Sequence, residues 1–278
     1  MQKKVWLITG CSTGFGAELV KEIAKKGDHV IGTVRKESQV EELEAHNPGL
    51  ITGVVLDVQN QNQIDACAKM IEEKFGRLDV LINNAGYGSL GPVEEVPEEE
   101  MIRQFDVNVY GAVRMIKMAL PFMRKQRSGH IQNVTSIAGL NGFPGMGIYN
   151  ASKFALEGIG ESLAGDVRHL GIKVTNVAPG PFRTDWGGRS ATYVEPRIED
   201  YKESAHQRMV NIANESGKQI GDPRKAALAM IELVDLEKPP VHLVLGGPAY
   251  SIQRKKIERW TEELDQFEKL GRETDYEE

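Results

Sequence analysis

The sequence predicts an α/β fold: one doubly wound parallel sheet of seven strands with helices on both faces. Three features carry that expectation. Short β-rich apolar runs alternate with longer segments of helical period along most of the chain. The runs are continuously apolar instead of alternating, as strands covered on both faces must be. No repeat or low-complexity linker interrupts the pattern, so the 278 residues read as a single domain.

The elements follow in order. Run 5–9 opens the sheet and segment 15–26 returns from it as a helix. Runs 30–34 and 53–57 are followed by helical segments 38–46 and 61–75, and run 80–83 by a long one at 98–127. Run 129–136 precedes the helical segment 149–170. Run 172–178 is separated from segment 222–236 by a connection at 181–221, and run 241–245 closes the sheet. Strand–helix–strand units of this kind cross over right-handed. The connection 181–221 is rich in Gly, Arg and Tyr and holds Trp186, Tyr193 and Tyr201. So long a connection inside a compact domain reads as a functional lid. The tail at 251–270 spaces Ile257, Trp260, Leu264 and Phe267 as one helical stripe, read as an amphipathic helix docked on the domain or a neighbouring subunit.

Composition excludes several classes. A net charge of −6 argues against nucleic acid and against a polybasic membrane patch. No apolar run reaches the 18 or so residues of a membrane span. Lys3 and Lys4 precede an apolar stretch too short for a signal peptide, so the expected location is cytoplasmic. Two cysteines make no disulfide framework, and six scattered histidines give no metal site.

Between the first strand and first helix stands Thr9-Gly10-Cys11-Ser12-Thr13-Gly14-Phe15-Gly16. Glycines there let the backbone turn tightly and approach a pyrophosphate seated on the helix N-terminus. Cys11 reads as a small filler of the loop. Further along come Asn83-Asn84-Ala85-Gly86 after the fourth strand, Asn108, Ser136, Tyr149 with Lys153 four residues on, and Pro179-Gly180 with Thr184. In this order, and with TGxxxGxG spacing, residues 4–245 resemble the short-chain dehydrogenase/reductase family. The loop itself is similar to its 17β-hydroxysteroid and retinol dehydrogenase branch.

The resemblance implies a Rossmann-type, three-layer αβα enzyme acting on CH–OH groups with a nicotinamide dinucleotide. Its cofactor residues would be Gly10, Ser12, Thr13, Gly14, Phe15, Gly16, Asp57, Val58, Asn84, Ala85, Gly86, Tyr149, Lys153, Pro179, Gly180 and Thr184. Of these, Asp57 and Val58 would contact the adenine and Thr184 the carboxamide. Tyr149 would be the acid/base, Ser136 a donor to the substrate oxygen, and Asn108 the holder of a relay water. Tyr149 and Lys153 at i,i+4 share a helix face. The lysine charge is expected to pull the phenol below its usual pKa of about 10.

Where NAD-preferring sites carry an acid, about 20 residues past the loop, stands Val34, followed by Arg35 and Lys36. A guanidinium pairs with a 2′-phosphate that a carboxylate would repel, so Arg35 selects NADP(H), with NAD(H) still usable. Thr13, where a basic residue would strengthen that choice, pulls the other way. Phe143, Met146, Phe182, Trp186 and Tyr193 read as a hydrophobic pocket for a carbonyl or secondary alcohol, or equally as packing for the lid. Ala155, Gly158, Gly160 and Gly165 permit close helix approach in a homodimer or homotetramer built on segments 98–127 and 149–170, or equally pack on their own sheet. Two other readings stand beside the enzyme: a catalytically silent dinucleotide sensor or scaffold, which should lack Tyr149 or Lys153, and an epimerase or dehydratase, which should carry a second domain.

Overall fold

A computed structural model describes residues 3–276. The strands are β1 (Val5–Ile8), β2 (His29–Val34), β3 (Ile51–Val55), β4 (Val80–Asn83), β5 (Gly88–Leu90), β6 (Gly129–Val134), β7 (Ile172–Pro179), β8 (Ala191–Tyr193) and β9 (His242–Leu245). Seven of them form a parallel sheet in the order β3-β2-β1-β4-β6-β7-β9, the fold class the sequence predicts. The α-helices are α1 (Gly14–Lys26), α2 (Ser38–Glu44), α3 (Gln61–Lys74), α4 (Glu98–Phe105), α5 (Ala112–Gln126), α6 (Gly147–Val167), α7 (Gln207–Glu215), α8 (Pro223–Leu233) and α9 (Gly247–Arg272).

Strand side chains alternate between two cores, which is why the runs are apolar throughout. Leu7, Ile31, Leu81 and Ile131 pack under α3, α5 and α6, with Ile71, Met115 and Val167 among the helical partners. Trp6, Ile8, Val30 and Ile82 pack under α1, α2 and α8, with Leu19, Ile23, Leu43 and Met230. The chain winds outward from β1 to β3 and then returns to β4 on the other side of β1. That reversal opens a crevice at the carboxyl ends of β1 and β4, where such sheets bind ligands.

Four segments are corrected or sharpened by the structure. The long helix at 98–127 is broken: Asp106–Gly111 takes π-helical hydrogen bonding between α4 and α5. One extra residue per turn there swings Asn108 into the interior, where it is 1% exposed. The connection at 181–221 is not open coil, since β8 pairs in parallel with β5 and α7 lies within it. Gly160 is not available to a neighbouring helix, because its face is filled by the Asn176 side chain, whereas Gly158 and Gly165 face open space. The tail helix is longer than 251–270 and is docked only at its base, with Ala249 buried and the predicted stripe exposed. Among the described residues no helix is long and apolar enough to cross a membrane.

Candidate active site

The loop after β1 is shaped by two glycines in the left-handed region, Gly10 at φ 72° and Gly14 at φ 60°. Gly16, one turn into α1, lies so close to the Gly10 carbonyl and the Asn84 amide that a Cβ would strike both. The two loops are laced together: Thr9 Oγ1 accepts from the Asn84 and Ala85 amides at 3.0 and 2.9 Å. Asn84 Nδ2 donates to the Thr9 and Gly10 carbonyls at 2.9 Å each, so its side chain braces the loop. Cys11 packs beneath it, its thiol donating to the Ile8 carbonyl at 3.2 Å and pushed up to about 12 by burial, only partly offset by the Thr33 backbone. That is a packing role with no reactive thiolate.

Ser12 and Thr13 are exposed at the start of α1, and Phe15 stacks edge-on against Phe182 at 5.2 Å. Phe182 therefore steadies the lid root beside Gly221 and Gly246 and is not part of the apolar pocket expected of it. Thr184 comes within 3.7 Å of the position a Gly14 Cβ would take, which sets the lid root beside the phosphate loop. A cavity of about 400 Å³ opens there, lined by Thr13, Gly14, Arg183, Thr184 and Ser216. Gly180, after Pro179 at the end of β7, is held by its amide on the Leu245 carbonyl at 2.9 Å. A second cavity of about 510 Å³ lies beyond β2 and β3, lined by Arg35, Asp57 and the polar residues 59–63. Arg35 is exposed at its rim, and Val58 is buried against Gly111. Between the two cavities lies the loop after β1, whose Gly16 leaves no room for a Cβ and whose Gly10 and Gly14 turn it in the left-handed region, the shape a dinucleotide needs at its pyrophosphate.

Tyr149 and Lys153 lie one turn apart at the start of α6, with the lysine Nζ 5.9 Å from the tyrosine ring. Lys153 Nζ donates to the Val134 carbonyl at 2.8 Å. Asn108 faces them: its Oδ1 accepts from the Tyr87 amide at 3.0 Å, and its Nδ2 donates to the Tyr87 carbonyl at 2.9 Å and to Ser152 Oγ at 3.1 Å. Ser152 in turn donates to the Tyr149 carbonyl at 2.7 Å. A Cβ on Gly86 would sit 3.1 Å from Asn108 Oδ1 and 3.6 Å from Lys153 Nζ, so all three converge on one point. Ser136, just past β6, accepts from the Ala138 amide at 3.0 Å and acts on the Tyr149 phenol as a neighbour that lowers its pKa.

Burial overturns the expected direction for the tyrosine. The phenol is pushed up to about 12 by desolvation, which neighbouring Ser136 only partly opposes. The lysine is pushed down to about 8 by the same burial, opposed by Glu157. At neutral pH the pair is therefore a protonated phenol beside an ammonium that gives up its proton readily. The physical source is the lid: Trp186 lies on Tyr149 with ring centroids 5.0 Å apart, wedged against Gly88, where no side chain would fit. Phe143, Met146, Trp186 and Tyr193 join Leu90, Ala138 and Met209 in one apolar cluster around the tyrosine.

Asn83 reads from the sequence as a strand bridge, but its partners Asn133 and Asn176, and Glu95, escaped that reading. Asn83, Asn133 and Asn176 share one register on β4, β6 and β7 and pass a hydrogen-bond ladder at 3.0 Å per step. The ladder ends on the Glu157 carbonyl of α6 at 2.8 Å, fixing the helix that carries Tyr149 and Lys153. Glu95, wholly buried, accepts from the Arg197 and Ile198 amides at 2.6 Å each and from His206 at 2.7 Å, clamping the lid. The asparagine at one strand position on three neighbours was a usable signal; for Glu95 there was none.

The short chain dehydrogenase family model matches residues 4–193. A 3-ketodihydrosphingosine reductase of Bacteroides thetaiotaomicron is 38% identical over 94% of this chain and 94% of its own. A short-chain dehydrogenase from Streptomyces avermitilis superposes with a TM-score of 0.92 at 38% identity, covering 99% of both chains. ElxO with NADP bound (28% identity, TM-score 0.74, covering 90% of this chain and 100% of its own) shares the fold. So does a Burkholderia phymatum enzyme with NAD bound (26% identity, TM-score 0.79, covering 93% and 95%).

Proposed function

The chain belongs to the short-chain dehydrogenase family, and from that premise we propose that it is an NADP(H)-dependent reductase of a hydrophobic carbonyl compound, working reversibly on the secondary alcohol. The observation that carries the proposal is the convergence of Tyr149, Lys153, Asn108 and Gly86 beside a glycine loop in which Gly16 leaves no room for a Cβ. When bound there, the dinucleotide supplies or accepts the hydride.

The chain's own part concerns the substrate oxygen. Tyr149, protonated at neutral pH, donates its proton to the carbonyl oxygen, and Ser136 holds that oxygen by a second hydrogen bond. Lys153 sits behind the phenol and stabilises the phenolate left after donation. Asn108, locked on the Tyr87 backbone and Ser152, keeps Gly86 and Lys153 in register. Arg35, with no acid at Val34, supports NADP(H) as the preferred form, because a guanidinium at that rim can pair with the 2′-phosphate. The apolar wall around Tyr149 supports a hydrophobic substrate, and a keto compound agrees with the name of the Bacteroides relative. Exposed Phe154, Gly158 and Gly165 on α6 support self-association through that helix, within one domain whose lid is 181–221.

The test is oxidation of NADPH and NADH against a panel of aliphatic and aromatic ketones. Tyr149→Phe is expected to lower turnover on the order of 1,000-fold with dinucleotide affinity retained; a variant as fast as the parent removes Tyr149 from the chemistry. Arg35→Ala is expected to weaken NADPH about tenfold and NADH little, at the scale of one charge-assisted hydrogen bond. Equal effects on both cofactors end the NADP assignment.

A further inference from the structure

Helix α9 leaves the body of the molecule carrying an apolar stripe that no other part of the described chain covers. Its base is fixed: Asn141 Nδ2 donates to Gln253 Oε1 at 2.9 Å, and Lys256 Nζ to the Leu140 carbonyl at 2.6 Å. From Ile257 onward every described residue is exposed. Yet Ile257, Trp260, Leu264 and Phe267 stand 54%, 59%, 61% and 54% exposed, and Tyr250 one heptad before Ile257 is 46% exposed. Steps of three and four residues make these the a and d positions of a two-helix seam. A stripe about 100° wide on a 26-residue helix is the pattern of a helix that packs on another.

The charges along α9 select the partner. Arg254, Lys255, Lys256 and Arg259 lie in the first half with Glu258, and Glu262, Glu263, Asp265 and Glu268 in the second with Lys269 and Arg272, so the first half is net basic and the second net acidic. A parallel pair of such helices sets like charge against like, whereas an antiparallel pair sets each basic half against an acidic one. A lipid surface fits less well, because a helix that lies on membranes carries a basic polar face and this one mixes both signs. We propose that α9 pairs antiparallel with α9 of a second copy. In this register Ile257 packs on the partner's Phe267, Trp260 on the partner's Leu264, and Arg254 reaches the partner's Glu268. Glu268 already meets Arg272 of its own helix at 2.7 Å, an exposed pair that an incoming arginine can share. The seam is distinct from any contact through α6, whose exposed residues lie on the body of the molecule.

Cysteine cross-linking of the full chain tests the register directly. The native Cys11 and Cys67 are buried, so an introduced thiol reports alone. Under mild oxidation Ile257→Cys mixed with Phe267→Cys is expected to form a covalent dimer that neither forms well by itself. Self-linking of Ile257→Cys alone shows parallel pairing and overturns the proposal, as does the absence of any cross-link. By sedimentation, a variant combining Trp260→Glu with Leu264→Glu should halve the mass of the particle at micromolar concentration, with turnover per chain unchanged because α9 carries no site residue. Arg254→Glu should weaken association severalfold, and adding Glu268→Arg should restore it. An unchanged mass in the seam variant, or loss only of binding to phosphatidylglycerol vesicles, assigns the stripe elsewhere and sinks the pairing.

Discussion

The two halves of the site are held by different kinds of contact. On the sheet side, the loop after β1 is fixed by close backbone approach and one bracing side chain: Gly16 lies against the Gly10 carbonyl, and the Asn84 side chain donates to the Thr9 and Gly10 carbonyls. On the lid side, the backbone ladder is only the short β5–β8 pair and side chains add the rest of the grip, with Glu95 holding Arg197, Ile198 and His206, and Trp186 resting on Tyr149. Close-packed backbone has no soft coordinate and transmits any intrusion. A lid held by a three-residue ladder and a carboxylate clamp has few contacts to break and can release as a unit, as a segment that admits substrate must. The same active site is thus rigid where it meets the dinucleotide and releasable where it meets the substrate.

The sharpest way to break this contrast is to place a side chain in the rigid half. Gly16→Val puts two methyl groups where the Gly10 carbonyl and Asn84 amide already stand. Dinucleotide affinity, measured by calorimetry, is expected to fall 100-fold or more, with the circular dichroism spectrum unchanged. A variant that binds normally would show that the loop yields, and the claim of rigidity would fail.

The lid half should respond differently. Glu95→Gln keeps the shape but removes the charge that three donors share, two amides and His206. Limited proteolysis between 195 and 206 is expected to quicken about tenfold while the melting temperature moves little and dinucleotide affinity stays. The parent should show the same release in acid. Burial pushes the Glu95 carboxyl up, but hydrogen bonds from His206, Arg197 and Ile198 outweigh it and hold the group below the usual value of 4.5. A depressed carboxyl stabilises above its unfolded value and loses that contribution as pH falls through the folded one. The clamp should therefore hold at neutral pH and open only below the carboxylate range. Proteolysis rates that stay flat from pH 7 to pH 3 would show that Glu95 is not the grip.

The contrast also explains what could be read from the sequence. The seven strands, their burial on both faces and the loop were legible because periodicity and glycine placement are backbone signals, and backbone is what builds that half. Asn84 was visible as a motif but not as a brace, since its partners are carbonyls that every residue has. The π-helical stretch at Asp106–Gly111 was invisible because nothing in the apolar spacing of 98–127 marks one extra residue in a turn. Glu95 is about 100 residues from the lid it holds, and no local pattern pairs it with His206. The Tyr149 shift was read backwards because the lysine charge is evident from i,i+4 spacing, while burial under Trp186 depends on where a distant lid comes to rest.

The smallest effect lies where the two halves adjoin. Glu22 on α1, the helix that follows the loop, accepts from Arg224 Nε at 2.9 Å and Lys25 Nζ at 2.7 Å. Arg224 begins α8, immediately after the lid returns to the body, capped by Asp222 at the helix start. The pair therefore joins the rigid helix to the end of the releasable segment. Hydrogen bonds from Arg224 and then Lys25 lower the Glu22 carboxyl to about 2. The carboxylate side chain is 6% exposed but its partners are 59% and 62% exposed, so water screens most of what that shift would otherwise contribute. Glu22→Gln is expected to cost about 1 kcal/mol at pH 7, or about 3 °C in melting temperature. Because the folded value is depressed, the difference between parent and variant should be full above pH 4.5 and shrink as pH falls toward 2. Denaturant melts of both proteins at pH 7 and pH 3 measure it. If the gap stays constant, the contribution of Glu22 is packing of its stem against α8 and not its charge.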